Sequence, residues 1–248
     1  MNGLFLRLLG DSADPRGAAW REARQWAEGA GHRFAVGRGG AGFVIEAGTA
    51  GCAMRVEWGP SQRNYIVGQE LRVRADVGPV TGLQMLAATR ELIVRLEQEA
   101  FAQITQGNET RIDEDTPEEM RWVVMYPQVP RSLLGHLGER FRLLSNRPRA
   151  STLWLEQGLA APLVASAAWH DPAAPMVLVV QRGRFALRMA LPEPRVAVLD
   201  GALSLSTAAV LAARHVAAEV SSGAINSQRP STWGPSAHVP TLDDAVEP

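Results

Sequence analysis

The spacing of apolar positions changes several times along the chain, and each change marks an element. Ala19, Ala23, Trp26 and Ala30 recur at helical intervals. Asp14 can cap that helix, and Pro15 fits its first position, where a missing N–H costs nothing. Gly31 is a natural stop. Trp20 and Trp26 read as core anchors of this helix. From Arg33 to Val77 the spacing becomes alternating. Phe43 and Ile45 face one way and Val44 and Glu46 the other. Met54, Val56 and Trp58 alternate with Arg55 and Glu57, and Leu71, Val73 and Ala75 alternate with Glu70, Arg72, Arg74 and Asp76. Glycine-rich breaks between such runs predict an antiparallel meander with one buried face. On its other face, arginine and glutamate are expected to pair across strands.

Helical spacing returns over 82–106, where Leu92 or Ile93, Leu96, Ala100 and Ile104 form a stripe and Glu91 and Arg95 an i,i+4 pair. Gly107-Asn108 ends that helix. Thr116-Pro117-Glu118-Glu119 has the form of a helix start, with carboxylates at the positive end of the dipole. Asp113-Glu114-Asp115 therefore belongs to helix initiation rather than to a metal cluster. Further helices are predicted over 131–145, 152–168 and 203–222. A hairpin is predicted from Met176–Val180 and Phe185–Leu191 around Arg182-Gly183, with a short strand at 195–199.

These elements give an α+β fold, antiparallel β-meanders packed against helices, with the order of elements suggesting two pseudo-duplicated halves. The halves span 1–111 and 112–222. Residues 223–248 are rich in Gly, Ser, Pro, Asn and Thr and lack periodicity, the composition of a disordered tail. Within it, Trp233 is the residue suited to anchoring on a protein partner.

Composition narrows the chemistry. All 25 basic residues among the 248 are arginine, so a lysine Schiff base, a P-loop lysine and a Ser-Lys dyad are excluded. Cys52 is the one cysteine, which excludes an internal disulfide and multi-thiolate metal sites; its apolar neighbours suit a buried thiol. The net charge of −1 gives no pull toward nucleic acid or anionic lipid. The N-terminus is a poor signal peptide, and no run of about 18 apolar residues suggests a membrane span. A soluble, bacterial-type cytoplasmic protein is the expectation, with neither nucleic acid nor membrane as a partner.

Gly37-Arg38-Gly39-Gly40-Ala41-Gly42 matches the dinucleotide-binding pattern in letters. That fingerprint needs a helix after the loop to receive pyrophosphate. Phe43-Val44-Ile45-Glu46 reads as strand, so the run is a hairpin turn and no cofactor is assigned. The loop after Trp58 is donor-rich at Ser61, Gln62, Arg63 and Asn64. Its residues suit a plain connection, and it is also the best candidate for a contact site. Arg182, Arg184, Arg188 and Arg195 gather near the second hairpin, where Arg184 and Arg188 share a strand face and could hold carboxylate or phosphate. His170-Asp171-Pro172 reads as turn chemistry. The five histidines lack metal-ligand spacing, and no serine stands in a nucleophile elbow.

No catalytic or metal-binding residue is assigned. The leading expectation is a non-enzymatic protein–protein or regulatory binding module. The alternative is a sensor or enzyme for a small anionic ligand, with its site between the two halves. Ser61, Gln62, Arg63, Asn64, Arg184 and Arg188 are its candidate ligand contacts.

Overall fold

The computed structural model describes residues 15–37, 40–105 and 117–223. Helix α1 (Pro15–Gly29) leads into the meander β1 (Arg33–Val36), β2 (Phe43–Thr49), β3 (Cys52–Pro60) and β4 (Gln69–Asp76). Strand β5 (Gln84–Thr89) and helix α2 (Arg90–Thr105) follow, then the helices α3 (Glu118–Met125), α4 (Arg131–Leu134) and α5 (Leu137–Arg140). Strand β6 (Phe141–Ser145) precedes α6 (Pro148–Trp154), a π turn (Leu155–Leu159), α7 (Ala160–Ala165) and a 3-10 turn. The hairpin β7 (Met176–Gln181) and β8 (Arg184–Ala190) and the long helix α8 (Val196–Ser221) complete the described chain.

The eight strands among the described residues form one antiparallel sheet in the order β1-β2-β3-β4-β8-β7-β5-β6. The fold is α+β. The first four strands lie in chain order, whereas β5 is inserted between β7 and β6. The sheet thus runs across the expected boundary at 111/112, which itself falls outside the described residues. So does the segment 224–248, with Trp233 in it.

Register explains how one sheet acquires two unlike faces. Phe34, Ile45, Val56, Val73, Leu187, Leu178, Ala87 and Leu143 stand opposite one another across all eight strands. This apolar face is covered by α1, α6, α7 and α8. Burying each large side chain of such a row stabilises the fold by roughly 1.5–3 kcal/mol. The adjacent row on the other face reads Arg33, Glu46, Arg55, Arg74, Ala186, Val179, Leu86 and Leu144. It changes from charged to apolar between β4 and β8. Beyond that change, Leu86, Ala88, Leu144 and Val177 pack beneath α2 and α3 through Leu92, Ile93, Leu96, Met120, Trp122 and Val123.

Several elements differ from the sequence expectation. Residues 84–89 are strand rather than the start of the helix, because β5 has strands on both sides and both its faces are buried, which erases alternation. The expected helix over 131–145 stops at Gly135, whose φ is +52°, and its last five residues form β6, again buried on both faces. The helix over 152–168 is interrupted at Gly158, where φ is +119°. The expected strand at 195–199 is the first turn of α8, which starts after Pro194 with Arg195 extended at its N-cap. Glu91 pairs with Arg90 and not with Arg95, whose guanidinium donates to the Tyr65 carbonyl.

Arg38 and Gly39 of the glycine run lie outside the described residues; its ends are joined by the Gly37 amide donating to the Gly42 carbonyl at 2.8 Å, and strand β2 follows Gly42 directly. A Cβ on Gly42 would stand 2.0 Å from the Trp58 carbonyl oxygen, so glycine is required there by close strand packing. Cys52 is buried at the start of β3. Helix α8 has 26 residues and a most apolar 18-residue window with mean hydropathy 1.8, enough by length and composition to cross a membrane. In this fold Leu199, Ala202, Leu205, Ala209, Val210, Ala213 and Val216 are buried in the core on the sheet's apolar face.

Candidate functional site

The charged half of the second face is an ion-pair ladder with little of it free. Glu57 on β3 accepts from Arg55 Nε at 2.6 Å and Arg72 Nε at 3.2 Å, with Arg74 Nη1 at 3.6 Å. Burial would raise the Glu57 carboxyl, but the hydrogen bond from Arg55 and the charges of Arg74 and Arg72 outweigh it and hold it below the usual carboxylate range. Arg55 also reaches Glu46 on β2. Cross-strand pairing therefore operates as the alternation implied.

Glu70, fully buried on β4, is the inner node. Its Oε1 accepts from Arg188 Nη1 on β8 at 2.7 Å, and its Oε2 accepts from Arg72 Nη1 at 3.3 Å and from the Gln62 amide at 2.9 Å. The last of these bonds ties the 61–68 loop to the sheet. Ser61 folds the loop internally, accepting from the Arg63 amide at 3.0 Å while its Oγ donates to the Arg63 carbonyl at 2.9 Å. The arrangement turns Arg63 toward α3, where its Nε donates to Glu119 Oε1 at 3.3 Å; the Tyr65 hydroxyl donates to the same oxygen at 3.2 Å. Burial foremost, and then the neighbouring Glu119 charge, push the Tyr65 phenol well above its ordinary range, so it acts as a fixed donor.

Between α3 and the β7–β8 hairpin lies a groove of about 500 Å³. Arg63, Glu118, Glu119 and Trp122 line one side, and Gln181, Arg182, Arg184 and Arg188 the other. Arg182 sits in the hairpin turn at φ +49° beside Gly183 at +73°, the two-residue left-handed turn that suits right-twisted strands. Arg63 and Arg188 are each held by a buried glutamate. Arg182 and Arg184 are exposed and form no ion pair with a described residue. Asp76 stands opposite Arg184 in register, yet no ion pair joins them. The groove thus presents two fixed and two uncommitted guanidinium groups. One lining carboxylate oxygen, Glu119 Oε2, is buried and has no hydrogen-bond partner.

Of the six predicted ligand contacts, Arg63, Arg184 and Arg188 come together here. Ser61 and the Gln62 amide organise the loop, and Asn64 is exposed outside the lining. Arg195 is drawn away to a second cavity of about 410 Å³, shared with His170 and Asp171. Asp171 forms the expected turn, its Oδ1 accepting from the Ala173 amide at 2.9 Å. His170 is buried with both ring nitrogens unpartnered; burial and the Arg140 charge push its pKa down to about 4. Glu70, Tyr65 and Glu119 were not legible as site residues. Glu70 read as one more outward-facing strand residue, and Glu119 as a helix-start carboxylate. Among the described residues, no group of three His, Cys, Asp or Glu side chains could hold a metal ion.

No protein-family model matches this chain, and no curated protein does. Among solved structures it is similar to the crystal structure of the mycobacterial trehalose monomycolate transport factor A, TtfA, with a TM-score of 0.46 and 10% sequence identity. The match covers 79% of this chain and 94% of that one. At that score the likeness carries no inference about activity.

Proposed function

We propose that this protein is a non-catalytic binding module that recognises an anionic group, carboxylate or phosphate, in the groove between α3 and the β7–β8 hairpin. The observation that carries this reading is the pair Arg182 and Arg184, exposed and uncommitted beside the anchored Arg63 and Arg188. A planar guanidinium fork matches carboxylate and phosphate geometry with two parallel hydrogen bonds. The buried Glu70 and Glu119 keep two of the four arginines in place, which lowers the cost of ordering the site when a ligand arrives. The groups behind the groove suit support of the arginines: Glu70 has both oxygens engaged, and the Tyr65 proton is held too tightly for acid–base work near neutral pH.

An acidic segment of a protein partner and a small organic anion would meet the same arginines, so the test has an arm for each. Succinate, citrate and inorganic phosphate are titrated while the melting temperature is followed, and a tagged pull-down from host lysate is made with wild type and with Arg182→Ala/Arg184→Ala. A ligand at 100 times its Kd adds about 2.7 kcal/mol of stability. Binding in either arm that is lost in the double variant supports the reading. No thermal shift and no captured protein that depends on the two arginines would overturn it.

A further inference from the structure

Resting on the anion-binding reading of the groove, we infer that its ligand is amphipathic, with one charged end on Arg182 and Arg184 and an aliphatic or aromatic body laid over Val179 and Ala186. Arg184, Ala186 and Arg188 follow one another on the same face of β8, about 7 Å apart along the strand. Across the ladder, Arg184 stands opposite Gln181 of β7 and Ala186 opposite Val179. The groove floor is therefore polar at the hairpin turn and apolar one step further in, before Arg188 and its bond to Glu70 are reached. Val179 and Ala186 both line the groove, and both remain partly exposed. Val177 and Leu86 on the same face are buried beneath α2 and α3, so the helical cover stops short of this pair.

A partly open valine and alanine would be ordinary on most surfaces. Here they lie between guanidinium groups, and the combination selects one kind of molecule. A volume of about 500 Å³ falls within the range of sites that take organic molecules rather than bare ions. Arginine attracts any anion, so the four guanidinium groups select charge alone. A small dianion reaching inward from Arg184 would set its second charge over Val179 and Ala186, losing hydration where neither side chain can donate a hydrogen bond. Glu118, a carboxylate on the α3 side, further disfavours a second negative charge across the groove. An anion charged at one end satisfies Arg182 and Arg184 and covers the apolar pair with its own apolar part, where each CH₂ removed from water adds affinity.

The test follows backbone amide shifts by NMR while the full chain is titrated with acetate, butyrate, hexanoate and succinate at constant ionic strength. A fully buried CH₂ is worth about fourfold in affinity, and about twofold where a groove covers half of it. Hexanoate, four CH₂ groups longer than acetate, is therefore expected to bind about tenfold more tightly or better, and more tightly than succinate. Binding of each should be lost in Arg182→Ala/Arg184→Ala. Val179→Thr/Ala186→Ser makes the floor polar with little change in volume and should reduce the advantage of hexanoate to about threefold, with acetate affinity unchanged. Affinity that does not rise with chain length, yet disappears with the two arginines, would overturn the apolar body and leave the anion groove standing. A rise with chain length that survives either double variant would put the aliphatic chain elsewhere and overturn the inference as well. The wild-type series and the arginine variant decide the matter even if Val179→Thr/Ala186→Ser folds poorly. No binding of any of the four would also overturn it, whereas the groove itself would fall only if phosphate, citrate and the pull-down failed too.

Discussion

Glu70 Oε1 accepts a 2.7 Å hydrogen bond from Arg188 Nη1, joining residues 118 positions apart in sequence at the strand pair where the first meander meets the second hairpin. The β4–β8 pairing is the seam of the whole sheet, and this ion pair lies on it, buried beside Arg72. Removing one partner of a buried pair leaves the other charge uncompensated. Glu70→Gln is therefore expected to lower unfolding free energy by about 3–5 kcal/mol in urea titrations. The exposed Glu46–Arg55 pair gives the contrast: Glu46→Gln should cost between 0 and about 1 kcal/mol.

Gly201 on α8 shows how a helix can need glycine at an interior position. A Cβ there would lie 2.6 Å from the Trp169 indole. Gly→Ala in a helix ordinarily gains up to about 1 kcal/mol. Gly201→Ala should instead destabilise by about 1–3 kcal/mol through overpacking, measured by thermal unfolding. Gly48→Ala on β2 meets nothing within 4 Å and should move the melting temperature little.

His170 makes the fold acid-sensitive in a defined window. Its folded pKa of about 4 lies below the ordinary 6.5, so the unfolded chain binds the proton first as pH falls. This contribution is fully present above pH 6.5 and is lost progressively between 6.5 and 4. At 1.36 kcal/mol per pKa unit it is worth about 3 kcal/mol. His170→Phe removes a ring with two unpartnered nitrogens and should flatten the stability–pH curve in that window without loss at neutral pH. A curve as steep as that of wild type would contradict the assignment to His170.

Anion binding in the groove should weaken as salt rises, because Arg182 and Arg184 are solvent-exposed and screened. Raising ionic strength from 0.05 to 0.5 M is expected to reduce succinate affinity severalfold in calorimetry. Affinity that does not change with salt would argue against a guanidinium-based site.

Where one face carried charge, the chain announced its structure: Glu70 to Asp76 alternates cleanly between polar and apolar residues even though Glu70 and Arg72 are buried, and β2–β4 and the second hairpin were legible. Strands β5 and β6 were not, because burial on both faces leaves a continuous apolar run that fits helix equally well. The groove followed the same rule. Arg63, Arg184 and Arg188 could be named from their chemistry, since arginine in a loop or beside a hairpin turn is visible in sequence whatever its partner. Glu70 and Glu119 gain their meaning from partners 118 and 56 residues distant, and no local pattern carries such a contact.

The insertion of β5 between β6 and β7 has a consequence for synthesis on the ribosome. By the time residue 105 has emerged, β4 and β5 exist as sequence, but their partners at 141–145, 176–181 and 184–190 have yet to be made. A nascent chain of that length holds three unclaimed strand edges, one on β4 and two on β5, each a template for a stray segment. The sheet can close only after the last hairpin is translated, so its assembly is slow and governed by distant pairings. A cell making this protein is expected to shield the early chain with a holdase chaperone, and ribosome-bound chains stalled before residue 141 should be its preferred clients.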